Sequence, residues 1–368
     1  MLFDKILDRE CVNAMSHDIQ KQFSVFAEKW RLKKVTLPVE MVDGGGSLFF
    51  QWLNALLLDR HQRKQLLLPD FGETESVFIF SDYGGEAKSS RYLTYTFTIV
   101  AYDTVGAFAK AMEEIRKKHF SAVPYKEISF KDLKYGPIKR GLEEYLTVSN
   151  NFLNGLVFTL IVDKNIDSLL APHDKEATKL VASTFEEHGF GKWKPAVAEK
   201  LYRILQPISF FCKMLIADGK KIMWMTDADS IMANDQKATE ATQLLGNAIR
   251  WCKTPNAYQV VGVVPKPFDE KEGLFLRDLL SLSDLIAGSL EHYYTNDKNV
   301  VHGEEESVAR MLQWLSGQGV GLKKLTMRMD LGEAGIVGSL IDFKAGDPLL
   351  NIDYVDFAYD TCVAPEAP

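Results

Sequence analysis

Three short apolar runs constrain this chain more than any other feature: Val77-Phe78-Ile79-Phe80, Leu156-Val157-Phe158-Thr159-Leu160-Ile161-Val162 and Ile222-Met223-Trp224-Met225. Each is far shorter than the roughly 20 apolar residues of a membrane span, and too continuous for a strand with one wet face. Such runs form strands buried on both sides, and a sheet buried on both sides needs helices over each face. Apolar residues at helical spacing supply them. Helices are predicted over 104–118, 137–148, 237–252, 275–294 and 304–315, and a mostly helical stretch over 174–217 is interrupted near Gly189-Phe190-Gly191, Pro195 and Pro207.

Further strands are predicted at 91–100, where Thr alternates with aromatic and aliphatic residues, and at 125–133, 257–264 and 322–331. The turn residues Ser81-Asp82-Tyr83-Gly84-Gly85 make the first two strands antiparallel neighbours. Beyond 331 only a short tail is expected. This order gives an α/β fold, a mixed or parallel sheet flanked by helices, with its core at 71–298, an N-terminal helical extension at 1–70 and a C-terminal α/β addition at 299–368. In the extension, 18–30 has helical spacing, and Ser47 is placed to cap a helix through Phe49, Leu53 and Leu56. The preceding Gly44-Gly45-Gly46 lacks the Gly-Lys-Ser/Thr of a phosphate loop and reads as a break before that helix.

Composition narrows the setting. An apolar fraction of 46% with 25% charged residues suits a packed core rather than a disordered chain. The four cysteines, Cys11, Cys212, Cys252 and Cys362, are scattered without a C-x-x-C pair or a histidine at ligand spacing, so free thiols in a reducing compartment are expected. Met1-Leu2-Phe3-Asp4-Lys5 lacks the pattern of a signal peptide, and a cytoplasmic location without membrane partners is expected. A net charge of -7 repels polyanions, so nucleic-acid contact requires a local basic patch. Residues 109–140 provide one, with nine cations against four acids. Its candidate phosphate contacts are Lys117, Lys118, Lys131, Lys134, Lys139 and Arg140.

An aspartate closes each buried run: Asp82, Asp163, and Asp227 with Asp229. Ligands of open α/β sheets bind outside the carboxyl ends of strands, and carboxylates gathered there suit a hard cation such as Mg²⁺ or Mn²⁺. A further acid, Asp284, interrupts the apolar helix Leu279 to Leu290, where a charge costs several kcal/mol unless it is paired or holds a cation. Gly288, one turn later, weakens that helix by about 1 kcal/mol relative to Ala and points to close packing. Glu127, Glu143 and Glu144 are secondary candidates.

Two of these segments carry a resemblance. Phe78-Ile79-Phe80-Ser81-Asp82-Tyr83-Gly84-Gly85, followed by the strand from Arg91, resembles the opening of the domain of unknown function 3800 family, prokaryotic proteins assigned to the ribonuclease H-like superfamily. Leu282-Ser283-Asp284-Leu285-Ile286-Ala287-Gly288 resembles that family's C-terminal helix motif, and the similarity spans roughly 75–295. It implies a ribonuclease H-like core in which Asp82 and Asp284, with a middle-strand acid, surround a divalent metal and serve phosphodiester hydrolysis. Asp163 and Asp227 rank level as the middle acid, Asp163 because its strand is expected to lie beside the first. The family has Asp-Glu-Ser at the first site and Gln three residues before the helix aspartate. Tyr83 and Ser281 stand there instead, so one acid of the pattern is missing.

Two other functions suit parts of the same sequence. Asp227-Ala228-Asp229 after a strand is the D-x-D of a nucleotide-sugar glycosyltransferase, which would make Asp227 and Asp229 essential and leave Asp82 idle. A scaffold that has lost part of its acid set could instead be a non-catalytic module, binding nucleic acid or protein through the basic patch.

Overall fold

The computed structural model describes residues 47–171, 174–227, 229–252, 258–265, 273–296, 305–333, 335–345 and 352–356. The predicted helix at 18–30 and the glycines 44–46 lie outside them. The described chain begins where Ser47 caps α1 (Leu48–Gln62), its Oγ accepting from the Phe50 N–H at 3.4 Å. It continues through β1 (Ser76–Gly84), β2 (Tyr92–Ala101), α2 (Gly106–His119), α3 (Gly136–Phe152), β3 (Gly155–Asp163), α4 (Lys175–Glu187), α5 (Pro195–Leu215), β4 (Lys221–Thr226), α6 (Asp235–Cys252) and β5 (Val260–Pro265). Then follow α7 (Leu274–Thr295), α8 (Glu305–Ser316), β6 (Leu322–Gly332), β7 (Gly335–Ala345) and β8 (Ile352–Asp356).

The strands form one mixed sheet in the order β5-β4-β1-β2-β3-β6-β7-β8. β1, β2 and β3 are successive antiparallel neighbours, and β4 and β5 extend the sheet on the other side of β1 in parallel. The three apolar runs become β1, β3 and β4, and period-2 alternation sends their side chains to two separate cores. Val77 and Ile79 join one core with residues of α1, α4, α5 and α6. Phe78 and Phe80 join the other with residues of α2, α3, α7 and α8. Helices on both faces are what continuous apolar strands require.

Three expectations are corrected. The segment at 125–133 is a loop that ends in a short 3-10 turn, Phe130–Asp132, not a strand. Its Pro124 and its run of charged residues oppose a buried ladder position. The chain beyond 331 is no tail: β6 pairs in parallel with β3, and β7 and β8 continue outward, so these residues complete the same sheet. Nor does β3 lie beside β1, because β2 separates them and β4 is the parallel neighbour of β1.

The β1–β2 hairpin depends on Gly85, whose φ of 86° lies in the left-handed region and whose missing side chain leaves room for the Tyr92 carbonyl. It is also tied down from outside. Ser90 Oγ donates to Glu291 on α7 at 2.5 Å, and Lys164 Nζ donates to the Ala87 carbonyl at 2.5 Å.

Candidate carboxylate site at the edge of the first strand

The last registered pair between β1 and β4 is Ser81 with Thr226, so Asp82 and Asp227 are the residues that follow that pair at the carboxyl edge. Phe80 lies in the core under α7, and Asp82, two residues on within β1, falls on that same face, whereas Asp227 follows the last residue of β4. Asp82 is half-buried, and its Oδ1 accepts the Tyr83 N–H at 2.6 Å.

Asp284 approaches from α7. This helix is pinned over β1 and β2 by two hydrogen bonds: Ser283 Oγ to the Phe80 carbonyl at 3.1 Å, and Thr94 Oγ1 to the Ala287 carbonyl at 3.0 Å. Asp82 lies midway between the β1 positions that those contacts reach, Phe80 and Gly84. Tyr293 packs on Phe343 of β7, on the far side of the helix. At about 100° per residue, nine residues turn the helix by half a rotation, so Asp284 faces the flank opposite Tyr293. There its Oδ2 accepts the Phe130 N–H at 2.8 Å. The close packing inferred from Gly288 has the same source, since a Cβ at that position would overlap the Phe130 ring.

Asp163 is set apart. It pairs with Tyr92 at the far end of β2, two strands from β1 and four residues beyond Thr159, which shares the rung of Thr96 and Asp82. Strand spacing and rise put its Cα roughly 16 Å from that of Asp82, too far for two carboxylates to share an ion. Its Oδ1 instead accepts the Asn165 N–H at 2.8 Å, closing a turn. Strand order, which apolar patterning does not encode, removes Asp163 from the carboxylate edge.

Asp229 is engaged on the other face. Its Oδ2 is 2.7 Å from Nζ of Lys200 on α5, and its Oδ1 accepts the Ile231 N–H at 2.7 Å. Lys200 also binds Glu86 at 2.5 Å and stands 4.7 Å over the Tyr83 ring. Burial works against the Lys200 ammonium, but Asp229 and Glu86 outweigh it and hold its pKa above the ordinary value. A carboxylate neutralised in this way has little left to offer a diphosphate-bound cation, which counts against the D-x-D function. Nothing in the sequence singled out Lys200, because the residues it joins are 29 and 114 positions away.

Tyr83 points away from Asp82. Its hydroxyl bonds with Ser81 Oγ at 2.7 Å and accepts from Thr226 Oγ1 at 3.0 Å, while Trp224 Nε1 donates to Ser81 at 2.8 Å. Burial raises the phenol well above its ordinary value, although both hydroxyl neighbours act to lower it. The side chain at position 83 therefore falls on the face opposite Asp82. Ser281, at the second departure, bonds back to the Arg277 carbonyl at 2.7 Å.

The secondary acids are ion-paired, Glu127 with Arg277 at 3.4 Å, Glu143 with Arg310 at 3.6 Å and Glu144 with Lys118 at 2.6 Å, and Glu144 also lies in hydrogen-bond contact with His119 Nε2 at 3.1 Å. The six candidate phosphate contacts are all exposed, on α2, α3 and the segment between them. Lys118 pairs with Glu144, and Lys139 with Glu306 at 2.8 Å.

Among the described residues no group of three or more His, Cys, Asp or Glu is arranged to hold a metal ion. None of their helices is long and apolar enough to cross a membrane. Comparison of the chain with family models and with curated proteins returned no match.

Proposed function

We propose that this chain is a divalent-metal-dependent phosphodiester hydrolase of ribonuclease H-like type, with Asp82 and Asp227 as the residues that hold Mg²⁺ or Mn²⁺. One observation carries this reading: the parallel register of β1 and β4 ends at Ser81 with Thr226, so Asp82 and Asp227 are the next residues along the two neighbouring segments, at the carboxyl edge of the sheet. The architecture is compatible with it: an antiparallel meander, β1 to β3, is extended beyond β1 by two parallel strands, and α7 packs across the first two strands.

The donor set fits the cation. Mg²⁺ prefers oxygen ligands and is commonly bound by one or two carboxylates together with water and substrate phosphates, so a pair of aspartates suffices without a closed protein cage. When bound, the ion supplies Lewis acidity toward a phosphoryl oxygen and the leaving group. The protein's own contribution is positional. Tyr83 N–H orients the Asp82 carboxylate, the Ser283 and Thr94 bonds fix α7 over the edge, and Ser90 and Lys164 hold the hairpin beside it.

The test is titration calorimetry with Mn²⁺ on the wild type and on Asp82→Asn and Asp227→Asn. Each substitution is expected to lower affinity at least tenfold while the circular dichroism spectrum stays unchanged. Wild-type protein that takes up no Mn²⁺ would remove the metal site, and with it the hydrolase. That result would favour the non-catalytic module, whose supporting observation is the exposed basic surface of α2, α3 and their connecting segment.

A further inference from the structure

The helix acid has a second duty. The connection from α2 to α3 runs along α7, with Glu127 near Arg277 and Phe130 at Asp284 and Gly288. Phe130 opens the 3-10 turn, and the first N–H groups of such a turn have no partner within it. The Asp284 carboxylate supplies that partner for Phe130 at 2.8 Å. The Phe130 ring fills the space left by Gly288 and lies 6.3 Å from the His292 ring. Within the turn, Asp132 Oδ2 accepts from Ser129 Oγ at 3.1 Å and from Lys126 Nζ at 2.6 Å, so the segment is a defined structure docked on α7. Exposed Lys131 follows Phe130 directly.

We propose that Asp284 is a positioning residue: it docks the Phe130–Asp132 turn, and with it Lys131, on α7, and is not a metal ligand. This rests on the hydrolase reading for its meaning but not for its test. The carboxylate's role toward Phe130 needs an acceptor oxygen and not a charge, so Asp284→Asn preserves it and Asp284→Ala abolishes it. A metal ligand behaves differently, because the neutral amide is a poor substitute for a carboxylate at a hard cation.

The experiment measures amide hydrogen exchange at Phe130 and Mn²⁺ affinity on the full chain, for wild type, Asp284→Asn, Asp284→Ala and Gly288→Ala. Protection of the Phe130 amide is expected to fall at least tenfold in Asp284→Ala and to persist in Asp284→Asn. Gly288→Ala leaves the carboxylate in place and displaces the ring, and should also lower protection. Mn²⁺ affinity is expected to stay within about threefold of wild type in Asp284→Asn. A tenfold loss of Mn²⁺ affinity in Asp284→Asn with Phe130 still protected makes Asp284 a ligand and overturns the proposal, as does unchanged Phe130 protection in Asp284→Ala. Absence of Mn²⁺ binding in wild type overturns the hydrolase alone, since the exchange measurements then decide the docking role by themselves.

Discussion

Removing the carboxylate of Asp278 should destabilise the protein more than removing the whole buried ion pair to which it belongs. Arg116 on α2 and Asp278 on α7 are only 6% and 2% exposed. Arg116 Nε donates to Oδ2 at 3.0 Å, Nη2 donates to Oδ1, and Nη1 donates to the carbonyls of Pro124 at 2.9 Å and Lys126 at 3.0 Å. Asp278→Ala leaves a buried guanidinium with two of its nitrogens unpaired, at a cost of about 3–5 kcal/mol. Against a typical total stability of about 5–15 kcal/mol, that is a large share. Replacing both partners, Arg116→Met with Asp278→Leu, removes the uncompensated charge. What remains is the loss of donors to the Pro124 and Lys126 carbonyls, about 1 kcal/mol each. The double variant should therefore be more stable than Asp278→Ala by about 1–3 kcal/mol in urea denaturation at constant m-value.

The pH dependence gives an independent check. Burial raises the Asp278 carboxyl above its ordinary value even though Arg116 pulls it down. An acid whose folded pKa exceeds its unfolded one binds its proton more tightly in the native state. Its ionisation therefore costs stability as pH rises through the window between the two values, and that cost vanishes below the unfolded value near 3.9. The slope contributed by this window should be missing in the double variant. An Asp278→Ala protein within 1 kcal/mol of wild type, or a double variant as unstable as the single, would refute the reasoning.

Other consequences can be checked separately. Asp163→Asn should leave Mn²⁺ affinity within about twofold of wild type in the same calorimetry, because the residue lies roughly 16 Å from Asp82 and serves a turn. Gly85→Ala should cost about 1–3 kcal/mol or more in urea denaturation, since φ is 86° and the new Cβ would overlap the Tyr92 carbonyl. Burial lowers the Lys323 ammonium to about 8, against about 10.4 unfolded, so the unfolded chain holds more protons between these values and stability should rise with pH across them. Lys323→Gln should reduce that slope by one proton, about 1.4 kcal/mol per pH unit, in denaturation at pH 8–10. If the basic segment meets phosphates, Lys131→Ala should weaken binding of a labelled oligonucleotide and reduce the slope of log affinity against log salt by about one.

The elements that were legible in the sequence are those whose information is local. β1, β3 and β4 announced themselves as apolar runs, the Ser47 cap sits one residue before its helix, and Gly288 marked a close contact before its partner was known. What was not legible is pairing across distance. Patterning placed an aspartate at the end of each strand but not the order of the strands, which puts Asp227 just past the end of the neighbour of β1 and Asp163 two strands away. β7 escaped notice because Gly335 and Gly338 dilute its apolar alternation, and the Arg116–Asp278 pair spans 162 residues.

Tyr83 shows how parity changes the weight of a sequence difference. As letters in a motif, Asp82-Tyr83 in place of Asp-Glu looks like an active site with one acid deleted. In an extended strand, adjacent residues face opposite sides of the sheet, and Tyr83 belongs to the core beneath α5 while Asp82 faces α7. An acid at position 83 would meet Ser81, Thr226 and the Lys200–Asp229 pair rather than the Asp82 edge. Position 83 therefore bears on the packing behind the strand, and in the proposed site binding of a cation depends on Asp82 and Asp227.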